Sequence, residues 1–399
     1  MSEWKEFHLG DLSDIQTGPF GSQLHASDYV NIGVPSIMPT NIGKRLEIYR
    51  DDLVFINISD AKRLAKYLVK DGDIVYSRRG DVEKCAFITK NEDGWLCGTG
   101  CLRVRITSKD VIPKFIALYL STDDVKGWIS SHAVGTTMPN LNTGILQRLP
   151  LTIPSFSEQH AIASILSSLD NKIDLLQRQN ITLEKMAETL FRQWFVEEAK
   201  EEWEEFKITD LFEVRDGTHD SPKQKEFGKK LITSKHLSKH SIDFESAYFI
   251  SEDDFEQINK RSKVETDDIL FSMIGTIGII YLEQSNEIDY AVKNIGLFKT
   301  SQNPLWKYFT VLWLKSDLGD EFIHENRSGS TQEYISLGSL RGIKFLVPSL
   351  KTVESFNVLV EPLFEKIKSN QNQIHTLIAL RDTLLPKLMS GEVRVEVNT

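Results

Sequence analysis

From Ser157 to about Lys200 the apolar residues recur at steps of four and three: Ile162, Leu166, Leu169, Ile173, Leu176, Leu183, Ala187, Leu190 and Trp194, with Asn180 in the one gap. This is heptad spacing, the pattern of a helix that buries one narrow stripe against another helix. A second series, Phe356, Val360, Leu363, Ile367, Ile374, Leu377, Leu384 and Leu388, keeps the same step, with Asn370 and Arg381 at the interrupted places. Both follow a Pro-Ser pair, Pro154-Ser155 and Pro348-Ser349, and superpose without a gap at an offset of 194 residues. Two such helices can bury their seams against each other. An antiparallel pairing sets Trp194 opposite Phe356, Ile162 opposite Leu388 and Asn180 opposite Asn370, and an amide that meets an amide inside a seam fixes register at some cost in stability. A helix of this length spans ~60 Å and would act as a rod. Pro362 lies inside the second pattern; an interior proline costs about 3 kcal/mol, so the second rod is expected to start late.

The repeat extends beyond the helices. Residues 1–153 alternate short strand-like runs near Ile15, Val34–Met38, Asp73–Ser77, Ala86–Thr89 and Leu102–Ile106 with Gly and Asp turns. A helix from about Pro113 to Leu120, a small-residue loop from Gly135 to Thr143 and a strand near Leu149–Ile153 complete the region. Residues 206–347 repeat that order. Phe206, Asp210-Leu211 and Gly217 match Phe7, Asp11-Leu12 and Gly18 at an offset of 199; Asp268-Ile269, Ser272 and Gly275 match Asp73-Ile74, Ser77 and Gly80 at 195; Ser330-Thr331 and Gly338 match Thr136-Thr137 and Gly144 at 194. The reading is an α+β chain with an internal pseudo-two-fold repeat: two similar globular α/β domains, 1–153 and 206–347, and a pair of long antiparallel coiled-coil helices in 154–205 and 348–399. Two unrelated amphipathic helices in an α-rich core is the plainer alternative, and the repeat outside the helices weighs against it. Partners of a duplicated chain come in equivalent pairs.

Charge changes the picture only when it is localised. The chain of 399 residues carries a formal charge of −10, but residues 1–150 hold 18 Lys and Arg against 18 Asp and Glu. Much of the acidity sits at the end of the first rod, in Glu197, Glu198, Glu201, Glu202, Glu204 and Glu205. No run approaches a membrane span and the N-terminus has no signal-peptide pattern, so the chain is expected in the cytoplasm. Cys85, Cys97 and Cys101 read as buried thiols: disulfides do not suit that compartment, and zinc wants four ligands in tighter pairs.

Basic residues cluster in both domains. Lys62, Arg63, Lys66 and Lys70 fall within reach of one helix face, and Arg78-Arg79 end a strand. In the second domain Lys223, Lys225, Lys229 and Lys230 crowd a Gly-containing loop, Lys235-His236 follow, and Lys260, Arg261 and Lys263 form a further group. Such clusters neutralise phosphates, while Arg and Asn in loops reach base edges; solvated surface is the alternative for any one cluster. Duplex DNA, whose major groove returns to one face about every 34 Å, suits two diverged readers on a spacer. Catalytic signatures are missing: there is no Asn or Asp followed by Pro-Pro-aromatic and no Gly-x4-Gly-Lys-Ser/Thr loop. Gly98-Thr99-Gly100 reads as a strand turn, and Asp170 and Glu198, each two residues before a lysine, as charged helix surface.

Gly10-Asp11-Leu12 with Gly18-Pro19-Phe20-Gly21-Ser22, and Asp216-Gly217-Thr218-His219-Asp220-Ser221-Pro222 followed by Leu231-Ile232-Thr233-Ser234-Lys235, resemble the target-recognition domains of type I restriction-modification specificity (S) subunits. Ile153-Pro154-Ser155 with Glu158-Gln159 resembles that family's spacer, although Thr352-Val353 replace Glu158-Gln159 in the second copy. The resemblance covers essentially the whole chain. It implies a non-catalytic subunit that recognises a two-part DNA target, one domain to each half, with the paired helices fixing the gap. It implies as partners two methyltransferase (M) subunits and, in complexes that cleave, restriction (R) subunits; S-adenosylmethionine, Mg and ATP belong to those partners, and this chain binds no cofactor. The favoured base readers are Arg78, Arg79, Thr136, Thr137 and Asn140 in the first domain and Lys229, Lys230, Lys235, His236, Arg327 and Thr331 in the second, chosen by residue type and loop position. Leu175, Phe191 and Phe195, off the seam, are candidates for M-subunit contact or for packing on the globular domains. A protein-binding scaffold that touches no DNA remains the competing class, and a self-sufficient methyltransferase would have to bind S-adenosylmethionine alone.

Overall fold

The computed structural model describes residues 4–135, 139–200, 202–329 and 332–395. The chain forms two compact units, Met1–Ile173 with Thr376–Thr399, and Asp174–His375. Each of the two long helices, Phe156–Arg192 and Leu350–Ser390, therefore contributes to both units.

In the first unit, strands Ser13–Thr17, Cys101–Ile106, Ile74–Ser77 and Cys85–Phe87 lie in that order in an antiparallel sheet. Beside it, Tyr29–Val30, Val54–Ile56, Val34–Ile37 and Leu96–Cys97 form a second sheet whose last pair is parallel. Lys5–His8 pairs with Pro150–Ile153. The helix Pro113–Leu120 opens on a proline, as the sequence predicts, and buries Phe115, Ile116 and Leu118.

The second unit repeats the order. Val214–Asp216, Ile295–Phe298, Ile269–Ser272 and Ile280–Leu282 make the antiparallel sheet; Phe249–Ile250, Lys229–Thr233 and Tyr290–Lys293 make the second, again with a parallel last pair. Glu204–Lys207 pairs with Lys344–Val347. Small polar devices recur with the strands. The Asp11 carboxylate accepts the His8 amide at 2.9 Å and Asp210 accepts that of Lys207 at 3.0 Å. The caps Asn142 and Ser336 accept from Ile145 and Ser339, 194 residues apart. Asp73, buried, takes Arg105 at 2.6 Å; its counterpart Asp268 takes Lys299 at 2.5 Å. Burial raises the Asp268 carboxyl above its ordinary range despite that ammonium.

The helix seams are buried or half-buried, as the heptads require. In the first unit Ile162 and Leu166 share a core with Leu385, Leu388 and Phe115. In the second, the Trp194 ring lies 5.9 Å from that of Phe356, and Asn370 Nδ2 donates to Asn180 Oδ1 at 2.8 Å in a buried contact. Early residues of one helix thus meet late residues of the other, which is antiparallel pairing. Arg381, the other seam interruption, is buried and its Nε reaches Asp170 Oδ1 at 2.6 Å. Asp170 is therefore a seam partner, not free charged surface.

One expectation is corrected and one pair of alternatives is decided. The second helix does not start late: it is continuous from Leu350 through Pro362, whose ring is exposed while Phe356, Val360 and Phe364 bury the inner face. A proline on the outer face lacks a donor there but inserts nothing into the seam. Of the two readings of Phe191 and Phe195, packing on the globular domain holds: both are buried in a ring cluster with Phe309 and Phe356 at centroid distances of 4.7–6.3 Å. The departure at Thr352-Val353 exchanges bonding for packing: Gln159 is tied to Asp110, Ile112 and Pro154 backbone, whereas Val353 is buried among apolar side chains.

Replacing Asn370 by Leu strands the buried Asn180 amide and should cost about 1–3 kcal/mol in denaturant unfolding, while the double variant Asn180→Leu/Asn370→Leu should recover that loss; a double variant no more stable than the single would show that the contact is incidental. Lys299→Met leaves Asp268 unpaired and should cost about 3–5 kcal/mol, with Lys299→Arg, the residue at the equivalent Arg105, retaining most of the stability.

Candidate nucleic-acid interface

Sheet topology decides which loops can act together. Strands Ser13–Thr17 and Ile74–Ser77 both run antiparallel to Cys101–Ile106, so the loops after Thr17 and Ser77 and the one before Cys101 emerge at one edge. Gly18 donates its amide to Cys101 O at 2.9 Å and Arg78 donates to Gly100 O at 2.7 Å. A side chain at Gly18 would run into the Gly98 carbonyl, so the close approach demands glycine. Leu141 then donates to Arg78 O at 2.9 Å, and Arg79 bridges to Asn140. The edge collects Phe20, Arg78, Arg79, Thr99 and Asn140. Arg78 Nε, Thr99 Oγ1 and Asn140 Oδ1 are buried there with no partner among the described residues. Thr136 and Thr137, predicted with Arg78, Arg79 and Asn140 as base readers, lie outside the described residues.

The second unit builds the equivalent edge. Gly217 donates to Ile295 O at 2.8 Å, and a side chain there would strike the Val292 carbonyl. Ile335 donates to Met273 O, and Ile274 bridges to Tyr334, the counterparts of Arg78 and of Arg79 with Asn140. His219 occupies the position of Phe20. Its ring nitrogens face Asp216 Oδ2 at 2.9 Å and Asn294 Oδ1 at 2.8 Å, and Asp216 also takes the Arg261 guanidinium. Arg327 is exposed beside Glu333, and Thr331 lies outside the described residues.

Other predicted cations are placed differently than spacing suggested. The helix carrying Lys62 and Arg63 ends at Arg63, so Lys66 and Lys70 are not on its face; Arg63 is held by Asp60 and the Gln23 carbonyl. Lys229 and Lys230 lie in a strand, not a loop: Lys229 reaches over the Phe255 ring and Lys230 donates to Ala247 O while covering Phe249. Lys223, Lys225, Lys235 and Lys260 are exposed. His236 is 2% exposed and its Nδ1 accepts the Thr233 amide, so it braces its own turn while Lys235 beside it faces solvent. Burial lowers its pKa, and Lys235 adds to that.

The two units also have a groove at equivalent positions. In the first it is lined by Tyr119, Asp124, Trp128, Leu149 and Pro150; in the second by Trp313, Leu318, Phe322, Ile343 and Lys344, each 194 residues on. Asp123 edges the first, Glu321 and Glu325 the second. Leu175 is half exposed on the first long helix. All three cysteines are buried and free; burial pushes the Cys85 and Cys97 thiols up to about 12. Among the described residues no group of three or more His, Cys, Asp or Glu is placed to hold a metal, and no helix is long and apolar enough to cross a membrane.

Comparison with known proteins adds a second view of the repeat. Residues 1–185 and 200–377 each match the family model described as Type I restriction modification DNA specificity domain. The specificity subunit of the type I restriction enzyme MjaIX of Methanocaldococcus jannaschii is 26% identical over 428 residues, covering 99% of this chain and 94% of that protein. The HindI specificity subunit of Haemophilus influenzae is 23% identical, covering 98% of this chain and all of that one. In fold, the chain resembles the crystal structure of a type I restriction-modification S subunit from M. genitalium, with a TM-score of 0.57 at 18% identity over 99% of this chain and 97% of that one.

Proposed function

This chain belongs to the type I restriction modification DNA specificity family, and from that membership and the doubled loop edge we propose that each unit reads one half of a split DNA target. It is a specificity subunit, a DNA-recognition protein that is not itself the enzyme. The observation that carries the split target is the recurrence of one edge with different side chains: Phe20, Arg78, Arg79 and Asn140 in one unit, His219, Met273, Ile274 and Tyr334 in the other, on matching hydrogen bonds. A reader duplicated for the same sequence would keep the same residues there.

In this reading the exposed lysines, among them Lys62, Lys66, Lys223, Lys225, Lys235 and Lys260, meet phosphates and set position, and the loop edges meet bases and set sequence. Two methyltransferase subunits dock as an equivalent pair. The matched apolar grooves with acidic margins support that pairing, since a margin of carboxylates repels DNA and suits protein. S-adenosylmethionine, Mg and ATP are held by methyltransferase and restriction subunits, and the assembly works in the cytoplasm.

Methylome sequencing of cells with and without this chain should report a split adenine-methylation motif, and exchanging residues 206–345 for another such domain should alter one half of it only. Change in both halves would refute independent reading. On random duplex, the complex with its methyltransferase subunits should lose affinity steeply with salt, and removing an exposed lysine such as Lys225 should reduce the slope of log affinity against log salt by about one. A salt-insensitive complex would favour a protein scaffold that touches no DNA.

A further inference from the structure

The two edges share a backbone and differ most sharply at one turn. After Ile74–Ser77 the first unit places Arg78-Arg79; after Ile269–Ser272 the second places Met273-Ile274, with Met273 buried. Arg78 is fixed on both sides, donating its amide to Gly100 O and accepting from Leu141. Its Cζ lies 5.2 Å from the centroid of the Phe20 ring, which is itself 50% exposed. Arg50, Arg63, Arg103 and Arg105 are each neutralised by a carboxylate; among the described residues Arg78 has none. Its Nε is buried and unpartnered.

These facts describe a cation already partly stripped of water, held against a ring, with its charge unspent. An aromatic ring against the guanidinium attracts its charge and removes rotamer freedom before a ligand arrives. What remains is a planar fork of donors at an exposed edge. Among the bases only guanine offers two acceptors side by side in the major groove, N7 and O6; adenine puts an amino donor beside N7, thymine has one acceptor and cytosine presents a donor. We propose that Arg78, held against the Phe20 ring, reads a guanine in the half-site met by the first unit, with Phe20 as its positioning residue. This rests on the proposed function above. Among the described residues the second unit has no such device: His219, at the place of Phe20, is engaged through both nitrogens, and the nearby guanidinium of Arg261 is spent on Asp216. The two half-sites are therefore read by different chemistry.

The test uses the complete methyltransferase complex and the motif found by methylome sequencing, its halves assigned by the domain exchange. Guanines of the first half are replaced one at a time by 7-deazaguanine, which removes N7. One replacement should weaken wild-type binding about tenfold or more and leave Arg78→Ala no weaker than it already is. Phe20→Leu should lose the same discrimination, and Phe20→Tyr should keep it. The fold loss caused by each second-half replacement should be the same for all four proteins. The proposal is overturned if every 7-deaza duplex binds like the parent, if the first half holds no G·C pair, or if Arg78→Ala weakens all duplexes alike and lowers the salt slope, the mark of a phosphate contact. The 7-deaza comparison on the wild-type complex stands even where a variant fails to fold. Absence of any split motif would instead remove the functional reading itself.

Discussion

The rest of the structure depends on a seam in which two long helices bury each other's apolar stripes while four polar side chains pair within it. Each fully buried Leu or Ile contributes ~1.5–3 kcal/mol, and such contributions are nearly indifferent to sliding by one heptad. Asn180 with Asn370, and Arg381 with Asp170, are not indifferent. In a shifted register each would be buried without its partner, at a cost comparable to a lost hydrogen bond or more. The seam therefore trades some stability for a single pairing; Asn370 Oδ1 has no partner among the described residues even in the pairing adopted.

Duplication explains which residues were free to change. Groups that hold the fold recur in kind: the Asp11 and Asp210 turns, the Asn142 and Ser336 caps, the glycines 18 and 217. The ion pair of Asp73 with Arg105 recurs as Asp268 with Lys299, a change of cation that leaves the carboxylate answered. At the loop edges the backbone bonds recur and the side chains do not. Constraint on the scaffold with divergence at its rim is the arrangement a sequence reader needs, because target choice can change without touching the core.

Much of this was legible in the chain itself. The heptad step and the constant offset exposed the paired helices and the repeat, because both depend on local spacing alone. What spacing could not show was where each side chain ends. Phe191 and Phe195, off the stripe, read equally as partner contacts or as packing, and only Phe309, far along the chain, decides for packing. Pro362 read as a helix breaker because packing on the opposite face was invisible. Lys229 and Lys230 read as loop residues since their partner strands, Phe249–Ile250 and Tyr290–Lys293, are distant in sequence. Phe20 was noticed only as part of a turn; its role at the edge comes from Arg78, a tertiary neighbour.

Hydroxyl-radical footprinting of the complex on its own motif tests the central claim, two separate readers in one chain, most directly. The account predicts two protected tracts with an unprotected gap between them, and loss of protection in one tract only when Arg78 is replaced by Ala. A single unbroken tract, or loss in both tracts from that one substitution, would contradict it.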